Sequence, residues 1–493
     1  MAVEFVTARG RIEKQGVDAI VVSTFEKNLS PDAKRIDSAL GGEITTAIEK
    51  NEFEGKNASL MVIRTLGKLK QRRVIVVGLG SEKEYSENKH YAFNAAAAAF
   101  GVVKNYAETI AFHISPFEIK RAVEACVVSS YDFQEFKSAG DDKKDVKLKR
   151  VVFVFDSEGD AAKARAEIAY AKTIAEAQNY ARMLDNTNPA VATPLYIATQ
   201  ARKLAGGKVK VSVWGKKELE KKGYDAIVSV GKGSANDPQL LVMEYEGGRK
   251  GEKPYAIVGK GVCFDSGGLS LKPSSYMDFM QYDKSGACTV IATIKALKEL
   301  NLPVNVVGIA PLVENLPSGT AYKPGDIIKT ASGKTIEVSN TDAEGRVVLS
   351  DALHHATLYK PKGIIDLATL TGAVVVALGH DAAGLMTNNP ALAGKIKSAA
   401  DKSGERVWEL PMWKEYEVLV KSEIADIINS DKGHAAGTIE GGMFLKNFVG
   451  EYPWVHLDIA GVAWVEKPGV NFRAGSTGWG VRLLTEFFKS ESR

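Results

Sequence analysis

The sequence predicts an α/β protein of two domains: a smaller N-terminal α/β domain over residues 1–158, a linker helix over 159–185, and a larger C-terminal α/β domain over 186–493 with a central mixed sheet flanked by helices. Three observations predict it. At 493 residues the chain exceeds what one hydrophobic core normally organises. Short β-branched runs alternate with helical stretches in both halves, the pattern of α/β architecture. Between the halves an alanine-rich helical pattern over 160–184 ends at Asp185-Asn186-Thr187-Asn188-Pro189, a strong breaker.

In the first half, residues 19–22, 60–63, 74–77, 110–113 and 151–155 read as strands, with helices over 92–103 and 117–128. Gly78-Leu79-Gly80 follows a strand, but the third glycine of a dinucleotide loop is missing and Glu82-Lys83-Glu84 comes next, so it reads as a plain turn. The run 141–150 mixes charges of both signs and reads as a solvated connection. After the breaker, Thr193-Pro194 restarts a helix with a cap and a proline at its first position. Strands follow over 209–213, 227–230, 240–245 and 255–258, the last two flanking a hairpin turn predicted for 246–254. Beyond them lie strands over 304–309, 363–367 and 454–457 and helices over 286–300, 346–358, 439–449 and 483–489.

Composition excludes several classes. The chain is 45% hydrophobic and 25% charged, ordinary for a globular protein, and its net charge of +4 gives no reason to expect nucleic acid or an anionic membrane as partner. Cys126, Cys263 and Cys288 are scattered and odd in number, which fits a reducing compartment rather than a disulfide framework. The opening residues show no basic region followed by an apolar core, and no apolar run approaches the roughly 20 residues that span a bilayer. A soluble cytoplasmic protein is the expectation.

The chemistry gathers in the second half. Asn340-Thr341-Asp342-Ala343-Glu344-Gly345-Arg346 places two carboxylates two residues apart in a tight loop that feeds a helix. Alone, it reads equally as a solvated helix cap. A second stretch upstream changes that: a strand ending at Val258 breaks into a glycine-rich loop carrying Lys260, Asp265 and Lys272, and Asp283 follows just before a helix. Four carboxylates in one site could not all stay ionised without cations. Two divalent metals would offset that charge and suit hydrolysis, one polarising a carbonyl while the pair lowers the pKa of a water. The seven histidines are dispersed without an H-E-x-x-H motif, which excludes zinc hydrolases of that type, and the adjacent His354 and His355 read as structural. A lysine ligand must be neutral, which at pH 7 costs about 4.6 kcal/mol. Spacing leaves Lys260 open between a ligand and a lysine on a surface loop. Lys272 would stay charged and could stabilise an oxyanion. Arg346 cannot act as a base but can hold an anion.

The stretches 340–346 and 259–268 resemble the hallmarks of the leucine aminopeptidase (cytosol aminopeptidase) family, and Asp366 to Gly372, His456 to Gly461 and Thr477-Gly478 are similar to further blocks of it, the likeness covering roughly residues 180–490. The resemblance implies an exopeptidase that removes N-terminal residues, leucine or another apolar one by preference, with two divalent metal ions per subunit: manganese or zinc, with magnesium a third candidate. It implies Lys260, Asp265, Asp283 and Glu344 around the tighter metal and Asp265, Asp342 and Glu344 around the exchangeable one, where the Asp342 carbonyl also ligates. It gives Lys272 the substrate carbonyl, and Arg346, with the backbone at Leu370, a bicarbonate that acts as general base. Met280, Thr369 and Gly372 would line the pocket for the first side chain, and the family implies a homohexamer built as a dimer of trimers. Lys284-Ser285 stands where the family commonly has methionine and a small residue, which puts a charge beside Asp283. The alternatives are a DNA-binding or regulatory relative, which salt-dependent DNA binding would reveal, and a relative without catalysis. The stretch 259–268 lacks Walker spacing, so a nucleotide site is set aside.

Overall fold

Strands that are apolar on both faces call for a sheet covered on both sides. The computed structural model describes residues 3–26, 28–88, 90–113, 118–138, 147–431, 433, 435–469 and 472–492. The chain divides into two units, Met1–Glu176 with Lys467–Ala474, and Ala177–Glu466 with Gly475–Arg493.

In the first unit β1 (Glu4–Arg9), β2 (Ala19–Thr24), β3 (Leu60–Arg64), β4 (Arg73–Gly78), β5 (Thr109–His113) and β6 (Arg150–Phe155) form one sheet in the order β1-β6-β5-β2-β4-β3. All pairs are parallel except β3 with β4. Ile20, Val22, Val74 and Val76 face Ala33, Ile36, Leu40 and Ile44, which belong to helices Pro31–Leu40 and Glu43–Glu49. Their neighbours Ala19, Val21, Ile75 and Val77 face Phe93, Phe100 and Val123 from helices His90–Val103 and Ile119–Ser130. Gly78-Leu79-Gly80 is a short connection from β4 to the capped helix Glu82–Glu87. Of the predicted stretches, residue 117 of one helix and residues 141–146 of the charged run lie outside the described residues.

The second unit adds β7 (Val209–Gly215), β8 (Gln239–Glu246), β9 (Tyr255–Gly259), β10 (Gly261–Asp265), β11 (Asn305–Asn315), β12 (Ile327–Lys329), β13 (Thr335–Glu337), β14 (Ile364–Ala368), β15 (Ala383–Thr387), β16 (Val407–Glu409), β17 (Ile427–Ile428) and β18 (Trp454–Asp458). The large sheet runs β16-β15-β18-β14-β9-β11-β8-β7 with β10 also on β11, while β12, β13 and β17 form a small sheet. Its centre, β18-β14-β9-β11, is parallel, and β15, β8 and β7 join antiparallel, which makes the mixed sheet the sequence predicts. Helices Pro194–Arg202, Ser285–Leu300, Pro390–Ser403 and Val481–Glu491 cover one face; Asp225–Gly231, Glu344–Thr357 and Gly437–Lys446 cover the other.

Three predicted elements differ. Residues 227–230 are helical, inside Asp225–Gly231. Four apolar residues fit either structure by periodicity, and here the deciding group is remote: Asp351 Oδ2 accepts the Ala226 and Ile227 backbone N–H groups at 3.0 and 3.2 Å and so caps the helix. No hairpin joins β8 to β9, because β11 lies between them. Asn305 at the head of β11 ties the connection down, accepting from Gly248 N and donating to the carbonyls of Arg249 and Glu252. The chain does not leave the sheet at Val258 either. It steps once at Lys260, then pairs Gly261 and Val262 with Leu312 and Val313 further along β11. Helix Glu158–Asn186 brackets the predicted linker helix. Among the described residues no helix is long and apolar enough to cross a membrane.

Candidate active site

Ligand-bearing loops of open α/β sheets lie beyond the carboxyl ends of the strands. Here Lys260 follows β9, Asp265 ends β10, Asn315 ends β11 and Thr369 follows β14. The step at Lys260 is held on both sides, by its N–H to Leu367 O at 3.0 Å and by Ala287 N to its carbonyl at 2.8 Å. The approach there is so close that a Cβ on Gly286 would lie 2.7 Å from Lys260 N.

Two turns complete the site. Asp283 belongs to the short helical turn Met280–Lys284, just ahead of helix Ser285–Leu300. Asp342 precedes helix Glu344–Thr357, and its N–H donates to Asn340 Oδ1 at 2.8 Å. Thr341 locks this turn to the glycine-rich loop. Its hydroxyl donates to Gly267 O at 2.6 Å and accepts from Ser270 N at 2.7 Å, and its carbonyl takes Asn315 Nδ2 and Tyr322 OH.

These elements bring six of the predicted residues into one charged cluster. Carboxylate oxygens of Asp265, Asp342 and Glu344 lie within 4.8 Å of one another. Lys260 Nζ stands 2.8 Å from both Asp283 Oδ1 and Glu344 Oε1 and donates to Thr369 O, also at 2.8 Å. Lys272 Nζ stands 2.9 Å from Asp265 Oδ2 and 2.5 Å from Asp342 Oδ1. Thr369 also donates its hydroxyl to Asp283 Oδ1 at 2.6 Å. Gly345 makes room for this packing, since a Cβ there would lie 2.6 Å from Lys260 Nζ.

The charges strain one another. Burial, reinforced by Asp265, pushes Asp342 and Glu344 up to about 7 against the pull of the lysines. Asp283 is also raised, by burial first and with Lys260 opposing. Burial would lower Lys260 and Lys272, but the surrounding carboxylates outweigh it and hold both above the ordinary lysine value. Asp283 Oδ2 and Glu344 Oε2 are buried with no hydrogen-bond partner among the described residues. Hard, anionic oxygens left unmatched beside a three-carboxylate cluster are a donor set that fits divalent cations.

The other predicted residues sit around this cluster. Arg346, two residues after Glu344, donates through Nη1 to Glu440 Oε1 at 3.0 Å and to Asn429 O at 2.9 Å. A Cβ on Gly441 would lie 2.8 Å from Leu370 Cδ2 and 3.6 Å from Arg346 Nη2, which places Leu370 and Arg346 against the same spot. The Leu370 N–H donates to Asp458 Oδ1 at 3.2 Å. Met280 opens the turn that holds Asp283, and Gly372 starts helix Gly372–Leu378 behind its cap Thr371. Lys284 is 0% exposed and spends its charge on the carbonyls of Gln281, Asp185 and Thr187, so its ammonium is taken up at the end of helix Glu158–Asn186. His355 is structural, with Nδ1 2.6 Å from Tyr224 OH, and burial lowers its pKa to about 4.

Sequence reasoning missed Asn315, Asn429 and Glu440. Asn315 reaches Asp265 Oδ1 at 2.8 Å only through the strand register, and Glu440 reaches Arg346 from 94 residues away. Neither carries a local signal.

Residues 179–485 match the catalytic domain of the cytosol aminopeptidase family, and residues 20–140 match its N-terminal domain. A probable cytosol aminopeptidase of Geobacter sulfurreducens is 40% identical over 483 residues, 96% of this chain and 97% of the relative. Another, of Geobacter sp. (strain M21), is 42% identical over 480 residues, 96% of each. Among solved structures, a tomato leucine aminopeptidase mutant superposes with a TM-score of 0.88 at 30% identity, over 99% of this chain and 97% of that one. The bottromycin maturation enzyme BotP in complex with Mn does so with a TM-score of 0.83 at 30% identity, over 97% of this chain and 100% of that one.

Proposed function

The chain belongs to the cytosol aminopeptidase family and is a metal-dependent aminopeptidase of the leucyl type, and we propose that it removes leucine or another apolar N-terminal residue from peptides at the cluster of Lys260, Asp265, Lys272, Asp283, Asp342 and Glu344. The observation that carries this reading is the buried, unmatched charge: four carboxylates face only two ammonium groups. In our reading Asp265, Asp342 and Glu344 hold one divalent metal, and Lys260 and Asp283 join Asp265 and Glu344 around a second. Manganese or zinc is the proposed occupant, with magnesium as a third candidate. When bound, such metals supply Lewis-acid polarisation and lower the pKa of a water to near neutrality.

The remaining steps belong to the protein's own side chains. Lys272, poised between Asp265 and Asp342, stabilises the negative charge that develops on the substrate carbonyl oxygen. Arg346 carries the anion that takes the proton; bicarbonate, beside the Leu370 backbone, is the anion that the family resemblance names. Met280, Thr369 and Gly372 line the pocket for the departing residue, and the same Thr369 keeps Lys260 and Asp283 in register. A cytoplasmic homohexamer, a dimer of trimers, acting on peptides is part of the same proposal.

The test is hydrolysis of a leucine-derived chromogenic amide by chelator-stripped protein, with manganese, zinc or magnesium returned. Glu344→Ala is run in parallel, and melting temperature is followed as an independent readout of metal binding. Activity and melting temperature should both rise with metal in the wild type and in neither respect in Glu344→Ala. A wild type that gains stability but never hydrolyses the amide would sink the substrate assignment. A variant that responds to metal as the wild type does would sink the ligand assignment.

A further inference from the structure

Asn315 is the last residue of β11, 1% exposed, and it stands between the two stretches that carry the carboxylates. Its Nδ2 donates to Asp265 Oδ1 at 2.8 Å and to Thr341 O, one residue before Asp342, at 3.0 Å. Its backbone carbonyl accepts twice from the residue after Asp265, from Ser266 N at 3.0 Å and from the Ser266 hydroxyl at 2.8 Å. One residue therefore ties both sides of the cluster together. The direction of its amide is forced. Both partners of Nδ2 are acceptors, so turning the group over would set its oxygen against two other oxygens. That direction leaves Asn315 Oδ1 buried with no hydrogen-bond partner among the described residues, against Gly268, where a Cβ would lie 2.7 Å from it. A buried amide oxygen without a partner is unfavourable by itself. It is tolerated here because the two donated hydrogen bonds require this orientation. The effect on Asp265 is specific. Its Oδ1 accepts from Gly267 N at 2.9 Å as well as from Asn315, which fills both lone-pair directions of that oxygen. Oδ2 is left for the centre of the cluster, where Lys272 Nζ stands 2.9 Å from it.

We propose that Asn315 is a positioning residue for the metal cluster: its amide turns Asp265 so that Oδ2 faces the cations, and it holds the Thr341 turn, with Asp342 and Glu344 behind it, in register with Asp265. The inference rests on the reading of Asp265, Asp342 and Glu344 as metal ligands. Asn315 acts through Asp265 and Thr341 and itself touches neither metal nor substrate. Hydrogen-bond partners that orient metal ligands account for about 10–100-fold in metal affinity.

The experiment titrates the chelator-stripped, full-length protein with manganese, well below its melting temperature, by competition with a fluorescent metal indicator. Circular dichroism checks that each metal-free protein is folded. Asn315→Leu is close to asparagine in size and lacks the donor, and its manganese midpoint should rise about tenfold or more. Asn315→Ala vacates space that water can fill, so its midpoint should rise less, by about threefold or more, because a bridging water restores part of the tie. Glu344→Ala removes a ligand and should lose binding. A folded Asn315→Leu or Asn315→Ala protein whose midpoint stays within about twofold of wild type overturns the proposal, whatever its melting temperature. If neither variant folds without metal, the tie serves the fold as a whole, and the proposal falls. Glu344→Ala separates the two readings. If it binds manganese as wild type does, the ligand assignment fails and this inference fails with it. If it loses binding while both Asn315 variants keep theirs, this inference fails alone.

Discussion

At the scale of single residues, the site is a balance between burial and opposite charge. Lys260 is the clearest case. Three oxygens, from Asp283, Glu344 and Thr369, each lie 2.8 Å from its Nζ, and the stem passes directly under Gly345. Gly345 lies in the first turn of helix Glu344–Thr357, where alanine would raise helix propensity by about 1 kcal/mol. Gly345→Ala should nevertheless weaken metal binding, since its Cβ would displace an amine that three partners pin. The expected result is a lower melting temperature in the metal-free protein, because the displaced ammonium leaves Asp283 and Glu344 buried without their partner and this outweighs the gain in helix propensity, with the manganese titration midpoint raised by about tenfold or more, roughly 1.4 kcal/mol. A midpoint equal to wild type would show that Lys260 moves aside freely. The identities of these charged residues and their gathering in one cluster were legible in the sequence. Their partners Asn315, Asn429 and Glu440 were not, because an amide or a carboxylate at a strand or helix end is ordinary until the fold decides what stands opposite.

At the scale of elements, the sharpest lesson is the short helix Asp225–Gly231. Its residues 227–230 are β-branched and apolar enough to read as a strand, yet Asp351 caps it from helix Glu344–Thr357 and also accepts Ala331 N at 2.8 Å. Burial outweighs these three hydrogen bonds and raises Asp351 from 3.8 to about 7. The folded state therefore holds this proton more tightly than the unfolded chain does. The stabilisation is complete below about pH 4 and is lost as pH rises to about 7. Asp351→Asn cannot ionise and lacks that decline. Urea midpoints measured at the two ends of the window should show wild type losing its advantage over the variant as pH rises; a constant difference would mean that Asp351 is ionised throughout. The same remote control explains β8 and β9. Turn residues between two strands resemble a hairpin, but β11 offers each strand a better partner and separates them.

At the scale of the whole molecule, the chain has two units, and the acidic cluster of Asp265, Asp342 and Glu344 lies entirely within the unit Ala177–Glu466 with Gly475–Arg493. Cations that bind only the folded state stabilise it by mass action, about 2.7 kcal/mol at a hundredfold excess over Kd. Calorimetry of the full-length protein should therefore show manganese shifting the transition of the second unit upward while that of the first stays in place. Equal shifts of both transitions, or a single merged transition that moves as a whole, would show that the two units melt cooperatively. The segment Lys467–Ala474 belongs to the first unit although it lies near the end of the chain, an exchange that no local pattern announces.

By itself the sequence determined the two-part α/β architecture, most of the strands and helices that carry it, and the acidic, lysine-rich heart of the site in the stretches 259–283 and 340–346. Hydrophobic period, capping residues and ligand chemistry are local properties, written into neighbouring residues. Only the tertiary structure decided that β11 separates β8 from β9, that residues 227–230 coil into a helix, that the ammonium of Lys284 is absorbed by helix-end carbonyls, and that Glu440 sits on Arg346. Each of these depends on which distant group is brought within about 3 Å of a buried charge or an unpaired backbone group. That choice is made by strand register and packing, and residues far apart in the chain acquire it only when the whole core closes.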